Sequence, residues 1–361
     1  MWVRHLELVD FRSYERADIE LGPGLTAVVG ANGQGKSNLM EAVGYLATLE
    51  SFRGVPDAAL VRDDCSQAIV RAEVVQPDGR IVTIECELAT SGRDRVLVNK
   101  QRLRRTSDLP GVVRVTVFSP DDLALVKEGP ALRRRFLDQT AVSLHSRADA
   151  DRRDLERILK HKSTLLKQVG GRLGEDAAFT LDVWNLKLAE VGERIGRTRA
   201  ELVAALGPEV GQAYTDLADG ASAADVEVRY EPAWRASGLA DALAAAKVDE
   251  VRRQVCLVGP HRDDLELRLN GLPARTHASQ GEQRTLALAL RLAAHRLVAE
   301  RVDDPPVLVL DDVFSELDPG RSAALLRHLP PGQVLLTTAG PLPAGATVER
   351  TIHVEHGRLT G

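Results

Sequence analysis

The sequence predicts an α/β domain interrupted by a helical lobe. Three observations carry that expectation. Alternating and β-branched segments fill the first third of the chain. From Asp121 to about Lys247 the residues turn to Ala, Leu, Arg and Glu. After about residue 250, strand and helix patterns alternate again. The expected division is therefore 1–120 plus 248–361 for the α/β lobe and 121–247 for the helical lobe.

Taken in chain order, Val3, His5 and Glu7 alternate with Arg4, Leu6 and Leu8 as in a strand, and a second strand runs from Leu25 to Val29. Ile69 to Val75 and Ile81 to Leu88 flank the turn Gln76-Pro77-Asp78-Gly79, a hairpin. Val96 to Val98 and Val112 to Phe118 follow. In the lobe, Leu155, Ile158, Leu159, Leu166 and Val169 keep one helix face apolar, and Trp184, Leu188, Val191 and Ile195 do the same on the next helix. Gly170 to Gly174 separates the two, so an antiparallel hairpin of helices a few turns long is expected. Leu265 to Leu269 with its Asn270-Gly271 turn, a helix from Ser279 to Arg301, the buried strand Val307 to Leu310 and the strand Val334 to Thr338 complete the reading.

Composition narrows the class. The chain has 361 residues, 44% hydrophobic and 27% charged, which excludes a disordered, collagenous or disulfide-stapled protein. Cys65, Cys86 and Cys256 form no CxxC pair, so neither a zinc cluster nor a disulfide framework is expected. No apolar run reaches the roughly 18 residues of a membrane span, and charges begin at Arg4. A soluble cytoplasmic protein with no membrane partner is the expectation. The net charge of −5 argues, taken alone, against nucleic acid.

Gly30-Ala31-Asn32-Gly33-Gln34-Gly35-Lys36-Ser37 matches the phosphate-binding pattern GxxxxGK[ST] between a strand and a helix. Its glycines let successive backbone N–H groups converge on phosphates, and the helix N-terminus adds partial positive charge there. Lys36 is expected on the β- and γ-phosphates of ATP and Ser37 on Mg²⁺. The paired acids closing Val307 to Leu310 supply the second half: Asp311 as a Mg²⁺ ligand and Asp312 to orient the attacking water.

Ser279-Gln280-Gly281-Glu282-Gln283 reads locally as a capping box. Together with the loop and the acidic strand it resembles the signature of ABC-type ATPases, with Ser315-Glu316-Leu317-Asp318 in the place of the D-loop and Thr337-Thr338 in the place of the switch histidine. Phe11-Arg12-Ser13-Tyr14, Pro120 to Leu123, Arg133 to Asp138 and Gly259 to Asp264 are similar to stretches of the RecF recombination mediators, and this resemblance runs from residue 4 to about 338. It implies an ABC-type, SMC-head-like fold and an ATP-dependent homodimer that sandwiches nucleotide. Arg12, Ser279, Gly281, Gln283 and Thr338 would join the phosphate loop as nucleotide contacts. It also implies DNA, RecO- and RecR-type mediators and, through them, a recombinase as partners, in gap repair, replication restart and the SOS response. Two features depart from the pattern: no Q-loop glutamine precedes the helical lobe, and Asp312 stands where many relatives carry Glu.

Two basic segments qualify the charge argument. Arg93 to Arg105 holds six basic residues against one acidic, and Lys127 to Lys167 eleven against six. Arg102, Arg104 and Arg105 are the expected DNA contacts. With 4% aromatic residues, stacking on single strands is poorly supported and backbone contacts to duplex or gapped DNA are expected. A transporter subunit and a chromosome-organising ATPase are the competing readings. The spacing from Lys36 to Asp311 is too long for the first, and a long heptad coiled coil is missing for the second.

Overall fold

The computed structural model describes residues 1–103, 109, 111–218 and 224–360. In chain order the strands are β1 (Trp2–Phe11), β2 (Tyr14–Glu20), β3 (Leu25–Val29), β4 (Gln67–Val75), β5 (Ile81–Ala89), β6 (Arg95–Val98), β7 (Gln101–Arg102), β8 (Val115–Phe118), β9 (Val226–Arg229), β10 (Glu266–Leu269), β11 (Leu272–Pro273), β12 (Val307–Leu310), β13 (Val334–Thr338), β14 (Arg350–Glu355) and β15 (Arg358–Thr360). The α-helices are α1 (Lys36–Thr48), α2 (Ala124–Lys127), α3 (Pro130–Leu144), α4 (Ser146–Gln168), α5 (Glu175–Ala218), α6 (Leu239–Arg253), α7 (Ala274–His277), α8 (Gln280–Val302) and α9 (Pro319–Arg327).

Two compact units emerge: Met1–Leu123 with Glu209–Ala224 and Gln280–Gly361, and Ala124–Pro208 with Asp225–Ser279. The first unit holds an antiparallel sheet of order β2-β1-β4-β5-β6-β7 and a mostly parallel sheet of order β15-β14-β3-β13-β12-β8. One core cluster unites them: Leu39, Met40, Val43 and Leu46 of α1 share it with Leu6, Leu8 and Val70 of one sheet and Val28, Val309 and Leu335 of the other. The four apolar residues of β12 are all buried, as a central parallel strand requires.

The second unit differs from the helical lobe expected over 121–247. Its boundary lies near 280 rather than 248, because β10 pairs with β9 in a three-stranded antiparallel sheet of its own and joins neither large sheet. The second helix of the pair is also longer than a few turns: α5 runs 44 residues and contains Pro208. Beyond Ile195 its buried positions continue through Leu202, Val203, Leu206 and Val210.

The stretches that resemble RecF serve packing here. In the second unit, Arg133 is buried and forms a two-pronged pair with Asp264 at 2.8 and 2.9 Å. Arg199, 2% exposed, does the same with Asp138 and donates to the Pro260 carbonyl. Asp263 accepts from Tyr230 and Trp234. Such fork-to-fork pairs fix orientation as well as distance. In the first unit, Asp122 accepts from Arg291 and from the Ser119 N–H, tying Pro120–Leu123 to α8.

One core group makes stability pH-dependent. His295 on α8 is 1% exposed, and neither ring nitrogen has a hydrogen-bond partner among the described residues. Burial pushes its pKa down from 6.5 to about 4. An unfolded histidine therefore takes up its proton first, and the part of the stability that His295 controls falls as the pH drops from 6.5 towards 4, by roughly 1.4 kcal/mol per pH unit, with His261, also lowered to about 4 by burial, adding to the same slope. His295→Leu is expected to flatten this acid slope in urea titrations at pH 7, 6 and 5. An unchanged slope would assign it to other groups.

Candidate nucleotide site

The P-loop leaves β3 at its C-terminal end and enters α1 at Lys36. Three of its residues, Gly33 included, need glycine for geometric reasons. Gly35 has φ 114°, and a Cβ on Gly30 would lie 2.3 Å from the Val354 carbonyl oxygen of β14. Lys36 is buried, and its Nζ donates to the carbonyls of Gly30 at 2.8 Å and Ala31 at 2.9 Å, closing the loop on itself. Burial lowers its pKa, opposed by the nearby charges of Asp312 and Asp311. Asn32 and Gly33 at the tip are exposed, and Gly33 has φ 78°.

Parallel pairing brings the acidic strand alongside. Leu310 of β12 faces Leu336 of β13, so Asp311 falls beside Thr337. Asp311 Oδ1 accepts from Ser37 Oγ at 2.9 Å and Thr337 Oγ1 at 2.8 Å. The Asp312 N–H donates to the same Thr337 hydroxyl at 2.8 Å, and the Asp312 backbone turns at φ 51°. Burial raises the Asp311 pKa; the two hydroxyl donors and the charge of Arg53 only partly offset it.

The expected residues divide. The P-loop, Ser37, Asp311 and Asp312 come together. Thr337, not Thr338, reaches Asp311; the Thr338 hydroxyl turns to its own loop and bonds Gly340. Which of the two threonines meets Asp311 is decided by the pairing of β12 with β13, since neighbours in a strand face opposite sides. Arg12 is committed to protein: it forms a two-pronged pair with buried Glu41 at 2.8 and 3.0 Å and donates to the Ala59 carbonyl. Ser279 is exposed immediately before α8, Gly281 is half-buried and Gln283 is buried. Asp318 caps α9 by accepting from the Arg321 N–H. Arg102 is exposed on the edge strand β7, whereas Arg104 and Arg105 lie outside the described residues. In the other basic segment several cations are spent on pairing: Lys162 with Glu250 in full burial, Arg157 with Asp154, and Arg152 with Asp149 and Glu156.

Three contributors escaped the sequence reading. Glu41 anchors Arg12. Arg53, exposed, donates to the Asn38 side chain at 3.4 Å beside the first turn of α1. The turn between β14 and β15 grips the P-loop: the His356 N–H donates to Gln34 Oε1 at 2.6 Å and the Gly357 N–H to the Gln34 carbonyl at 2.9 Å.

A mostly parallel sheet with a P-loop on one strand and a buried carboxylate two strands away defines a P-loop ATPase head of ABC type. The family model for the RecF/RecN/SMC N terminal domain matches residues 2–339. The chain belongs to that family and, within it, to the RecF proteins. It is 45% identical over 354 residues to "DNA replication and repair protein RecF" of Streptomyces avermitilis, covering 94% of this chain and 93% of that one. The corresponding protein of Kineococcus radiotolerans is 43% identical, with 99% and 98% covered. A solved structure described as the recombination mediator protein RecF-ATPrS in the RecFOR pathway aligns with TM-score 0.90 at 28% identity, over 99% of this chain and 97% of that one. An Smc head bound to the C-winged helix domain of ScpA aligns at 0.60 and 17%, over 98% and 94%, a likeness of fold. No described helix is long and apolar enough to cross a membrane.

Proposed function

We propose that this chain is an ATP-driven switch of recombinational repair. ATP joins two copies, the P-loop of one and Ser279 of the other enclosing each nucleotide. The paired form binds duplex or gapped DNA and, with RecO- and RecR-type mediators, places recombinase on single-strand gaps, in support of replication restart and the SOS response. Slow, DNA-stimulated hydrolysis to ADP and phosphate times release. The observation that carries this reading is the Ser37–Asp311–Thr337 cluster at the foot of the P-loop. The RecF relatives, among them a structure described as RecF-ATP in the RecFOR pathway, support the same reading.

The donor set fits Mg²⁺. A serine hydroxyl and a buried carboxylate are hard oxygen donors, and Mg²⁺ in nucleotide sites usually takes only one or two protein ligands besides phosphate and water. No cluster of three or more His, Cys, Asp or Glu suited to a metal occurs among the described residues, in keeping with such a sparse set. Ser37 and Asp311 would hold the ion, which when bound neutralises phosphate charge. Ionised Asp311 is the binding form, and its pKa is raised, so protons compete with Mg²⁺ at a higher pH than for an ordinary carboxylate. Mg²⁺-dependent ATP binding should lose more on acidification than the protonation of ATP alone accounts for, and Asp311→Asn should remove that extra loss.

Sedimentation with and without ATP tests the switch. ATP should convert monomer to dimer, and Ser279→Arg, placing a bulky cation on an exposed site, should block the conversion. An unchanged mass at micromolar protein would sink the sandwich. Binding assays with ATP on single-stranded, duplex and gapped DNA then rank the substrates, and Arg102→Glu should weaken duplex binding and reduce its salt dependence.

A further inference from the structure

Asp311 and Asp312 are neighbours in the chain, yet their surroundings use them in opposite ways. Asp311 spends its carboxylate on Ser37 and Thr337. Asp312 spends only its backbone: its N–H donates to Thr337 Oγ1 at 2.8 Å, and its carbonyl accepts from Ser315 Oγ at 2.8 Å. Among the described residues, its carboxylate takes part in no hydrogen bond or ion pair. The residue is half-buried, and its charge acts on Lys36 of the P-loop. A carboxylate carried on a fixed backbone, close to the phosphate loop and with its own oxygens uncommitted, suits the orienting of a water molecule.

That backbone needs fixing. Asp312 has φ 51°, in the left-handed region that a residue with a side chain keeps only where its surroundings hold it. The strands on either side supply the hold. On one side the Asp311 N–H donates to the carbonyl of Phe118, the last residue of β8, at 2.8 Å. On the other side lies β13, where pairing of Leu310 with Leu336 sets Thr337 beside Asp311. Thr337 is fully buried, and one hydroxyl serves both acids: it gives its proton to Asp311 Oδ1 and accepts the Asp312 N–H. Asp312 is also one methylene shorter than the glutamate of many relatives. It has one torsion fewer with which to make good a displaced backbone.

We propose that Thr337 is a positioning residue for ATP hydrolysis: it holds the Asp312 backbone where the carboxylate meets the attacking water. The inference rests on the ATPase reading above. In the step concerned, the water oxygen bonds to the γ-phosphorus as the bond from that phosphorus to the β–γ bridging oxygen breaks. The electron pair of that bond leaves with ADP, and Asp312 accepts the proton that the water gives up. Thr337 touches neither water nor phosphate, so its whole effect passes through Asp312. Small displacements of a reacting group are costly in rate, and they need not change the binding of ATP.

The experiment measures ATP affinity and kcat of the full chain at a temperature where every variant is folded. Thr337→Val keeps the shape of the side chain and removes the hydroxyl. It should lower kcat at least tenfold and leave ATP affinity within threefold of wild type. Thr337→Ser keeps the hydroxyl and should bring kcat back to within threefold of wild type. Asp312→Asn should lower kcat at least as far as the valine variant, and adding Thr337→Val to it should lower kcat no further. An ATP affinity that falls tenfold along with kcat would place the effect on Asp311 and the ion it holds. Full additivity in the double variant would show that Thr337 acts independently of Asp312. A serine variant as slow as the valine one would reduce the residue to packing. Any of these three results overturns the proposal and leaves the ATPase reading standing. Asp312→Asn with the wild-type rate would instead remove Asp312 from that reading, and this inference with it.

Discussion

Lys36→Ala is expected to lower ATP affinity about a hundredfold or more and to abolish ATP-dependent dimerisation and DNA binding, with little change in melting temperature. The two halves of this result have separate causes. On ATP, the ammonium would make charge-assisted contacts worth roughly 1.5–3 kcal/mol each, and tenfold in affinity corresponds to about 1.4 kcal/mol. Without nucleotide, Lys36 is buried and spends its protons on the Gly30 and Ala31 carbonyls. Its pKa is lowered by that burial, so the charged form already carries a desolvation cost in the folded chain. Alanine removes the cost along with the hydrogen bonds, and the two offset each other. Isothermal titration with ATP and a thermal melt on the same sample separate them. ATP affinity within threefold of wild type would show that the loop holds phosphate through its backbone alone. A melting temperature lowered by many degrees would recast Lys36 as a structural brace.

Much of this site was legible in the sequence because its determinants are local. Gly30 to Ser37 forms a loop between one strand and one helix, and the run Val307 to Asp312 announces a buried strand ending in acids. Neither needs knowledge of distant residues. What escaped depends on pairing between remote segments. That Thr337 and not Thr338 meets Asp311 follows only from the register of β12 on β13. That Arg12 is held by Glu41 follows from the packing of α1 beside β1, and a lone arginine gives no sign of its partner. The lobe boundary was misplaced for the same reason. The Leu265 to Leu269 strand was recognised, but strand pattern does not say which sheet a strand joins, and this one joins Val226–Arg229. Charge counting failed differently. The excess over Lys127 to Lys167 includes Lys162 and Arg133, which are buried in ion pairs and present no charge to a partner.

Gly357→Val should be among the most damaging single changes to the first unit, although the residue lies far from every motif in the sequence. Gly357 has φ 70°, where a β-branched side chain costs roughly 1–2 kcal/mol or more, and a Cβ there would stand 2.2 Å from the Ser13 carbonyl oxygen. The obstacle is backbone, so the turn itself must withdraw. Withdrawal breaks the two hydrogen bonds from His356 and Gly357 to Gln34 and frees the P-loop on that side. At a net 0.5–1.5 kcal/mol per hydrogen bond, the total is about 2–5 kcal/mol, or a melting temperature lower by several degrees in a chain of this size. The loop would then have to be ordered by ATP itself, so ATP affinity should drop severalfold even where the protein remains folded. Gln34→Ala provides the control, since it removes only the side-chain bond from His356 and introduces no clash. It should reproduce a small part of the affinity loss with almost none of the thermal loss. If Gly357→Val melts early yet binds ATP with wild-type affinity at a temperature where it is folded, the hairpin is a stability element alone. If Gln34→Ala by itself loses as much affinity as Gly357→Val, the glutamine acts on nucleotide directly and not through the hairpin's grip on the loop.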